Sequence, residues 1–249
     1  MKYMLIKTIK KIFNICGLEV YKKGIRRTNL AEVALFLSKF NFKPQTVIDV
    51  GVADGTFELY DNFPNATHLL IEPLKEFVDD LEAITRNYKA QYILAAAGAK
   101  HGKIIMNVHP ILTGSSIFNE TEGTYADGIP REVPVITIDN ACRERHLNGP
   151  YLIKVDVQGA ELVVLEGAQN VLSNTEVVIL EVQLFEFLVG SPQFYDVVSH
   201  MREYGFVVYD IFGNYYRPLD GALAAVDVVF VRENRQFRKD HSFATSEQH

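Results

Sequence analysis

The stretch TVIDVGVADGTFE, residues 46–58, decides the fold. It opens as a short apolar strand, passes through a glycine-bracketed turn and ends at the start of a helix. Asp49 stands just before the turn, and Gly51 and Gly55 bracket it. Glycine serves where backbone must bend tightly or approach a ligand closely. The spacing is G-x-x-x-G, unlike the G-x-G-x-x-G of dinucleotide binding, and no Gly-Lys-Ser/Thr follows to make a phosphate loop. Taken alone, the turn suits a purely structural role as well as a binding one.

The next strand tips that balance. HLLIEP, residues 68–73, ends on Glu72, 21 residues after Gly51. A carboxylate at the end of the second strand can accept hydrogen bonds from both hydroxyls of a ribose. A glutamate before a helix also suits the helix dipole, which is the bland reading. Asp49, the turn and Glu72 together point to an adenosyl-type cofactor, and the turn spacing favours S-adenosylmethionine over a nicotinamide dinucleotide. Ala97 and Gly98, after the third strand, are expected near the adenine by fold analogy.

Outward from these segments the chain alternates between two patterns. Strands are expected at 46–50, 67–71, 90–96, 103–108, 133–138, 151–157, 176–182, 206–211 and 223–231, and helices at 56–63, 74–87, 160–172 and 194–204. Several strands are continuous apolar runs, which fits a sheet covered on both faces in a doubly wound α/β fold. Residues 110–132, rich in Gly, Ser, Thr and Pro, are expected to form a loop over the active face. The polar residues 234–249 are expected to fray.

A second acidic centre lies in YLIKVDVQGAELVVLEGAQNVL, residues 151–172. Lys154 and Asp156 share one side of their strand. Charges inside an apolar strand are costly unless paired or functional. Asp156, Gln158, Glu181 and Gln183 are expected to converge where an acceptor would sit. His109 and the loop residues Ser115 and Ser116 are further candidates, although a lone histidine is commonly a surface residue and the serines equally suit a turn. Asp156, Glu181 and Gln183 would also make an oxygen-rich Mg²⁺ site, though no spacing demands one.

Composition narrows the classes. Of 249 residues, 48% are apolar and 22% charged, an ordinary globular balance that excludes wholesale disorder, collagen and coiled coil. The net charge of −6 argues against a chain drawn to nucleic acid by phosphate attraction. That net is uneven: residues 1–27 hold eight Lys/Arg and one acid, so they carry +7, and the other 222 carry −13. Leu5, Ile9, Ile12 and Cys16 repeat at helical spacing with lysines opposite, which predicts a basic amphipathic helix. Such a helix either rests on an anionic membrane or packs on the body. The two cysteines, Cys16 and Cys142, match no metal spacing and suggest a reducing compartment. No apolar run is long enough to span a bilayer.

The segments VIDVGVADGTF, LLIEP, ITIDNAC, LIKVDVQGAELVVLEGA and VDVVFVR together resemble the FkbM family of methyltransferases over roughly residues 45–232. The IKVDVQGAE block is their most specific element. The resemblance implies a class I, Rossmann-like doubly wound sheet, mostly parallel with an antiparallel last strand. It implies methyl transfer from S-adenosylmethionine to a hydroxyl, often of a sugar, glycan or natural product. Two positions depart from the family pattern: Gln158 stands where Glu is usual, and Asp54 where Asn is common. Gln158 cannot ionise, which weakens a base or metal role there, while Asp54 can still cap the following helix. Asp139, in ITIDN, resembles a family position or caps a helix at 139–147.

The expectations are then these. Residues 1–43 are a basic helical extension, 44–233 the methyltransferase domain and 234–249 a tail. Asp49, Gly51, Asp54, Gly55, Glu72, Ala97, Gly98 and Asp156 hold the cofactor. Asp156 is the base or acceptor-orienting group, with His109 and Glu181 beside it, and Ser115, Ser116, Gln158 and Gln183 meet the acceptor. The partner is a hydroxyl-bearing small molecule or glycan and not nucleic acid. The location is the cytoplasm, with peripheral contact to the inner face of the membrane through residues 1–27. The competing readings are a nicotinamide-dependent sugar oxidoreductase or epimerase, which would need a Tyr-x-x-x-Lys pair that Tyr21 and Ile25 do not supply, and a non-catalytic adaptor that keeps the fold.

Overall fold

The computed structural model describes residues 2–16, 27–123 and 126–245; expectations that fall on 17–26 and 246–249 lie outside the described residues. Two helices come first, α1 (Lys2–Ile15) and α2 (Leu30–Lys39). The chain then alternates through β1 (Thr46–Val50), α3 (Phe57–Asn62), β2 (Thr67–Glu72), a 3-10 turn at Lys75–Phe77, α4 (Val78–Asn87) and β3 (Ala90–Leu94). Next come β4 (Ala96–Ala97), β5 (Gly102–Val108) and β6 (Ile129–Ile136). Helix α5 (Ile138–Glu144) leads to β7 (Tyr151–Val155), α6 (Glu161–Glu166), α7 (Gln169–Ser173) and β8 (Thr175–Gln183). Helix α8 (Phe194–Glu203), β9 (Phe206–Tyr216) and β10 (Leu223–Arg232) follow.

Seven strands form one sheet in the order β3-β2-β1-β7-β8-β10-β9. The first five in that order run parallel, and β10 is antiparallel to both of its neighbours. The strand order reverses between β1 and β7, and ligands in open α/β sheets bind at the carboxyl ends beside such a switch point. This is the Rossmann-like, mostly parallel sheet with an antiparallel last strand that the sequence led us to expect.

The continuous apolar strands are buried on both faces. On one face Ile48, Ile71, Ile153, Leu180 and Phe230 pack with residues of α5 to α8, such as Ile138, Leu165 and Met201. On the other, Val47, Leu70, Leu152, Ile179 and Val229 pack with Leu37, Leu59 and Leu81 of α2, α3 and α4. Fully burying such a side chain contributes about 1.5–3 kcal/mol. Among the described residues no helix is long and apolar enough to cross a membrane.

The structure departs from the sequence expectations at four places. The strands near 103–108 and 133–138 do not join the main sheet: β5 and β6 pair antiparallel in a separate sheet of three, with β4 on the other edge of β6. Their burial alternates between exposed and buried, as in a sheet with one wet face. The helix at 160–172 breaks into α6 and α7 at Gly167 and Ala168. A Cβ on Gly167 would lie 2.1 Å from the Gly98 carbonyl oxygen, so this break brings the helix pair against the backbone after β4. Asp139 does cap a helix, but not its own: its carboxylate accepts from the backbone N–H groups of Asn170 and Val171 at 3.0 and 2.9 Å, at the start of α7. Finally, the tail does not fray throughout. Phe237 is buried against Phe40, Phe42 and Tyr209, because one aromatic in a polar segment suffices to hold it.

Gly167→Ala should therefore cost about 1–3 kcal/mol through overpacking. Urea unfolding checks this against Gly102→Ala, whose Cβ would meet nothing within 4 Å. Equal midpoints for the two variants would remove the close contact as a constraint.

Candidate active site

The glycine turn exists because two strand ends meet there. Gly51 adopts φ +76°, and a Cβ at that position would lie 1.8 Å from the carbonyl oxygen of Asp156. The Asp156 N–H donates to the Val50 carbonyl at 3.0 Å, and the Gly51 N–H donates to Ile71 at 2.9 Å. The turn thus fuses the ends of β1, β2 and β7. Ala53 sits in the left-handed region at φ +48°. The Glu72 carboxylate steadies it, accepting from the Ala53 N–H at 3.0 Å and from the Leu74 N–H at 2.9 Å. Asp54 does not cap α3 as expected; the cap position is Thr56, with no side-chain cap bond, and Asp54 is exposed.

Asp49 is fully buried beneath this turn. Its Oδ2 accepts from the Tyr60 hydroxyl at 2.5 Å, and Tyr60 in turn accepts from the Thr56 N–H at 3.1 Å. Its Oδ1 has no hydrogen-bond partner and lies 3.9 Å from Lys154 Nζ. Burial pushes Asp49 above the usual carboxylate range, with Lys154 opposing that push. Lys154 also pairs with Asp156 at 3.3 Å. Burial pulls the lysine down, but Asp156 and Asp49 outweigh it and hold its pKa above normal.

At the carboxyl end of β7, Gln158 takes a left-handed conformation, φ +52°. A non-glycine residue held there marks a constrained backbone of the kind that clusters at functional sites. Its Nε2 donates to Asp156 Oδ1 at 3.2 Å and to Glu181 Oε2 at 2.7 Å. Burial, followed by the neighbouring Asp156 and Asp227, raises Glu181 well above the carboxylate range. Glu161, buried at the start of α6, accepts from the N–H groups of Val157 and Gly159 at 3.2 Å each and so fixes the loop. Burial pushes its pKa up to about 7.

Three connected hollows follow from these elements. The first, about 260 Å³, is mainly apolar and lined by Gly51, Ile71, Pro73, Ala97, Gly98 and Val135. A smaller one, about 90 Å³, holds Ala53, Glu72, Ser115, Asp156 and Gln158. The third, about 340 Å³, is lined by His109, Glu120, Gln158, Glu181, Gln183 and Tyr215. Gln158 is the wall that the second and third share.

The expected cofactor residues Gly51, Glu72, Ala97, Gly98 and Asp156 thus gather on two adjoining hollows. His109, Glu181, Gln158 and Gln183 gather on the third. The serines sit differently. Ser115 Oγ accepts from the His109 N–H at 3.1 Å, and Ser116 Oγ donates to the Gln158 carbonyl at 2.7 Å, so both hydroxyls are engaged by backbone. The His109 ring is likewise engaged, its Nδ1 accepting from the Ile111 N–H at 3.0 Å. The oxygen set considered for Mg²⁺ is not assembled. The Gln158 amide donor fills the gap between Asp156 and Glu181, Gln183 Oε1 accepts from Ser191 at 3.3 Å, and among the described residues no three acidic, His or Cys side chains are placed to hold a metal.

Sequence reasoning overlooked Asp227. It lies opposite Glu181 in the β8–β10 register, over Gly213, where a Cβ would come within 2.1 Å of its carboxylate. The signal was present in VDVVFVR, a lone charge inside an apolar strand, the same one that drew attention to Lys154 and Asp156. Tyr60, the partner of Asp49, carries no such signal, since a tyrosine four residues into a helix is ordinary.

The sequence profile of the family described as "Methyltransferase FkbM domain" matches residues 49–208. No curated protein matches the chain. Among solved structures, a magnesium protoporphyrin IX methyltransferase from Synechocystis PCC 6803 is 12% identical, with 82% of this chain and 77% of that one covered and a TM-score of 0.46. A 1,6-didemethyltoxoflavin-N1-methyltransferase from Burkholderia thailandensis is 8% identical over 82% and 78%, with a TM-score of 0.43. An rRNA methylase from Streptococcus thermophilus is 9% identical over 84% and 98%, again at 0.43.

Burial, followed by the Asp156 charge, pushes Asp227 up to about 7 from its ordinary 3.8. Folding therefore takes up a proton between those values, and the stability of the fold falls as pH rises through that window. The stability advantage of Asp227→Asn over the parent should grow between pH 5 and pH 7 and stay level above. Urea midpoints across that range check it; a pH-independent difference would contradict it.

Proposed function

The chain belongs to the FkbM methyltransferase family, and from that premise we propose that it methylates a hydroxyl of a sugar, glycan or related small natural product, with S-adenosylmethionine as donor. The observation that carries the reading is the position of Asp156 and Gln158. Asp156 lines the small hollow that also holds Glu72 and adjoins the apolar one, and Gln158 is the wall between that small hollow and the polar one. The nicotinamide-dependent reading falls with the family assignment, and the presence of Glu72 and Asp156 weighs against a non-catalytic adaptor.

The residues present fit the cofactor. Glu72 keeps lone pairs beyond its two backbone bonds for the ribose hydroxyls. The hollow beside Ile71, Pro73, Ala97 and Gly98 suits a flat adenine. Gly51, which lines both the first and second hollows, takes the methionine end, with the buried Asp49 beneath it. When bound, S-adenosylmethionine supplies a methyl group already activated by the sulfonium charge. The chain's own task is positioning, which supplies about 7–11 kcal/mol for well-oriented partners. Asp156 orients the acceptor hydroxyl and takes its proton as attack proceeds, an effect worth roughly 10²–10⁴-fold. Lys154 Nζ, 3.3 Å away, balances that carboxylate. Glu181, raised by burial, keeps its proton and serves as a hydrogen-bonding wall. His109, which lines the acceptor hollow, is the second candidate base.

The third hollow supports the acceptor class. It offers carboxyl, amide, imidazole and phenol groups from Glu120, Glu181, Gln158, Gln183, His109 and Tyr215, and no Lys or Arg lines it. Mixed neutral donors and acceptors suit hydroxyls, whereas a phosphate-rich nucleic acid would meet acid. The free thiols Cys16 and Cys142 support a reducing, cytoplasmic setting.

Glu72→Ala should weaken binding of S-adenosylhomocysteine at least tenfold by calorimetry; unchanged affinity would take Glu72 out of the site. Asp156→Asn should lower kcat by about 10²–10⁴-fold while the cofactor Kd stays within threefold. Transfer of labelled methyl into nucleotide sugars, lipid-linked glycans and free glycosides tests the acceptor class. Transfer only to amine or nucleic-acid acceptors would overturn it.

A further inference from the structure

Helix α1 carries a surface that the methyl-transfer reading does not use. Ile6, Ile9, Ile12 and Phe13 are 46, 38, 56 and 40% exposed, and Ile15 is 79% exposed. Ile6, Ile9 and Phe13 follow one another at helical spacing, with Ile12 one turn beyond Ile9, so they form one stripe. Lys7 and Lys11 fall on the opposite side of the helical wheel. No acid occurs in the fourteen residues of α1.

What covers this stripe must accept apolar side chains and negative complementarity at once. A second copy of α1 meets the first requirement but sets lysine against lysine. An anionic bilayer surface meets both, since apolar side chains sink between headgroups while the net positive charge of the segment is attracted to the negative surface. At about 1.5 Å per residue, fourteen residues give a segment that lies along a surface and does not cross it. Lys22, Lys23 and Arg26 add to the same charge in sequence, while Arg27 is paired with Asp210 of the body; residues 1–27 carry +7 against −13 elsewhere. We propose that α1 docks this protein peripherally on anionic lipid, laying the Ile6–Ile9–Phe13 stripe into the headgroup boundary. This stands apart from the methyl-transfer reading: it concerns where the acceptor hollow is held, not what it does.

The test is co-sedimentation of the full chain with vesicles of phosphatidylcholine alone and of phosphatidylcholine with one third phosphatidylglycerol. Binding at least tenfold tighter to the anionic vesicles, weakened by 0.5 M NaCl, is expected. The Ile9→Asp/Phe13→Asp variant should lose that binding tenfold or more while its melting temperature stays unchanged, which keeps misfolding apart from lost docking. Equal binding of parent and variant, or none by the parent, would overturn the proposal. So would sedimentation equilibrium showing a parent dimer that the variant dissolves, since the stripe would then serve a second copy.

Discussion

Everything at the carboxyl rim of the sheet depends on one buried cation. Lys154 lies in the middle strand, beside Asp49 of the neighbouring strand, with Asp49 and Asp156 within 3.9 Å of its nitrogen. Without it, the buried Asp49 would keep one oxygen unpartnered beside the partly exposed Asp156 carboxylate. Breaking such a pair by removing one partner costs about 3–5 kcal/mol, since a lone charge stays behind. The lysine therefore permits the rim to be acidic, and the acidic rim is the chemistry.

That arrangement also assigns the acids different tasks. Asp49 faces inward and is tied to a phenol, Glu72 is tied to the backbone of the turn it faces, and Asp156 stands between hollows. Glu181 and Asp227 face each other across an antiparallel pair, where burial and then the charge of Asp156 favour the protonated forms. A row of like residues in the sequence thus becomes a graded row in the fold, and Gln158 divides the hollow that would take the donor from the one that would take the acceptor.

Much of this was legible in the chain because strand ends announce themselves. An apolar run that stops on a carboxylate and then a glycine or proline can be read without coordinates, and Asp49, Glu72 and Asp156 were found that way. Three things were not legible. The pairing of β5 with β6 outside the main sheet depends on long-range partners, since a short apolar strand looks alike in either sheet. The hydrogen bonds of Ser115 and Ser116 depend on a loop closing on Gln158. The split at Gly167 depends on the proximity of Gly98, 69 positions earlier. The bland reading of a glycine, an acid or a serine is overturned only by what tertiary packing brings near it.

The sheet order has a temporal consequence. Strand β9 is an edge whose one neighbour is β10, and β10, later in the chain, is inserted between β8 and β9. During vectorial synthesis β9 leaves the ribosome with no partner, and β8 has an open flank. Phe237, later still, closes the aromatic cluster around Phe40 and Phe42 that precedes β1. The half of the fold that carries the glycine turn can assemble early, but the wall of the acceptor hollow built by Tyr215, Ala224 and Ala225 waits for the last strand. A nascent chain would be able to form its donor side well before it has anything to methylate.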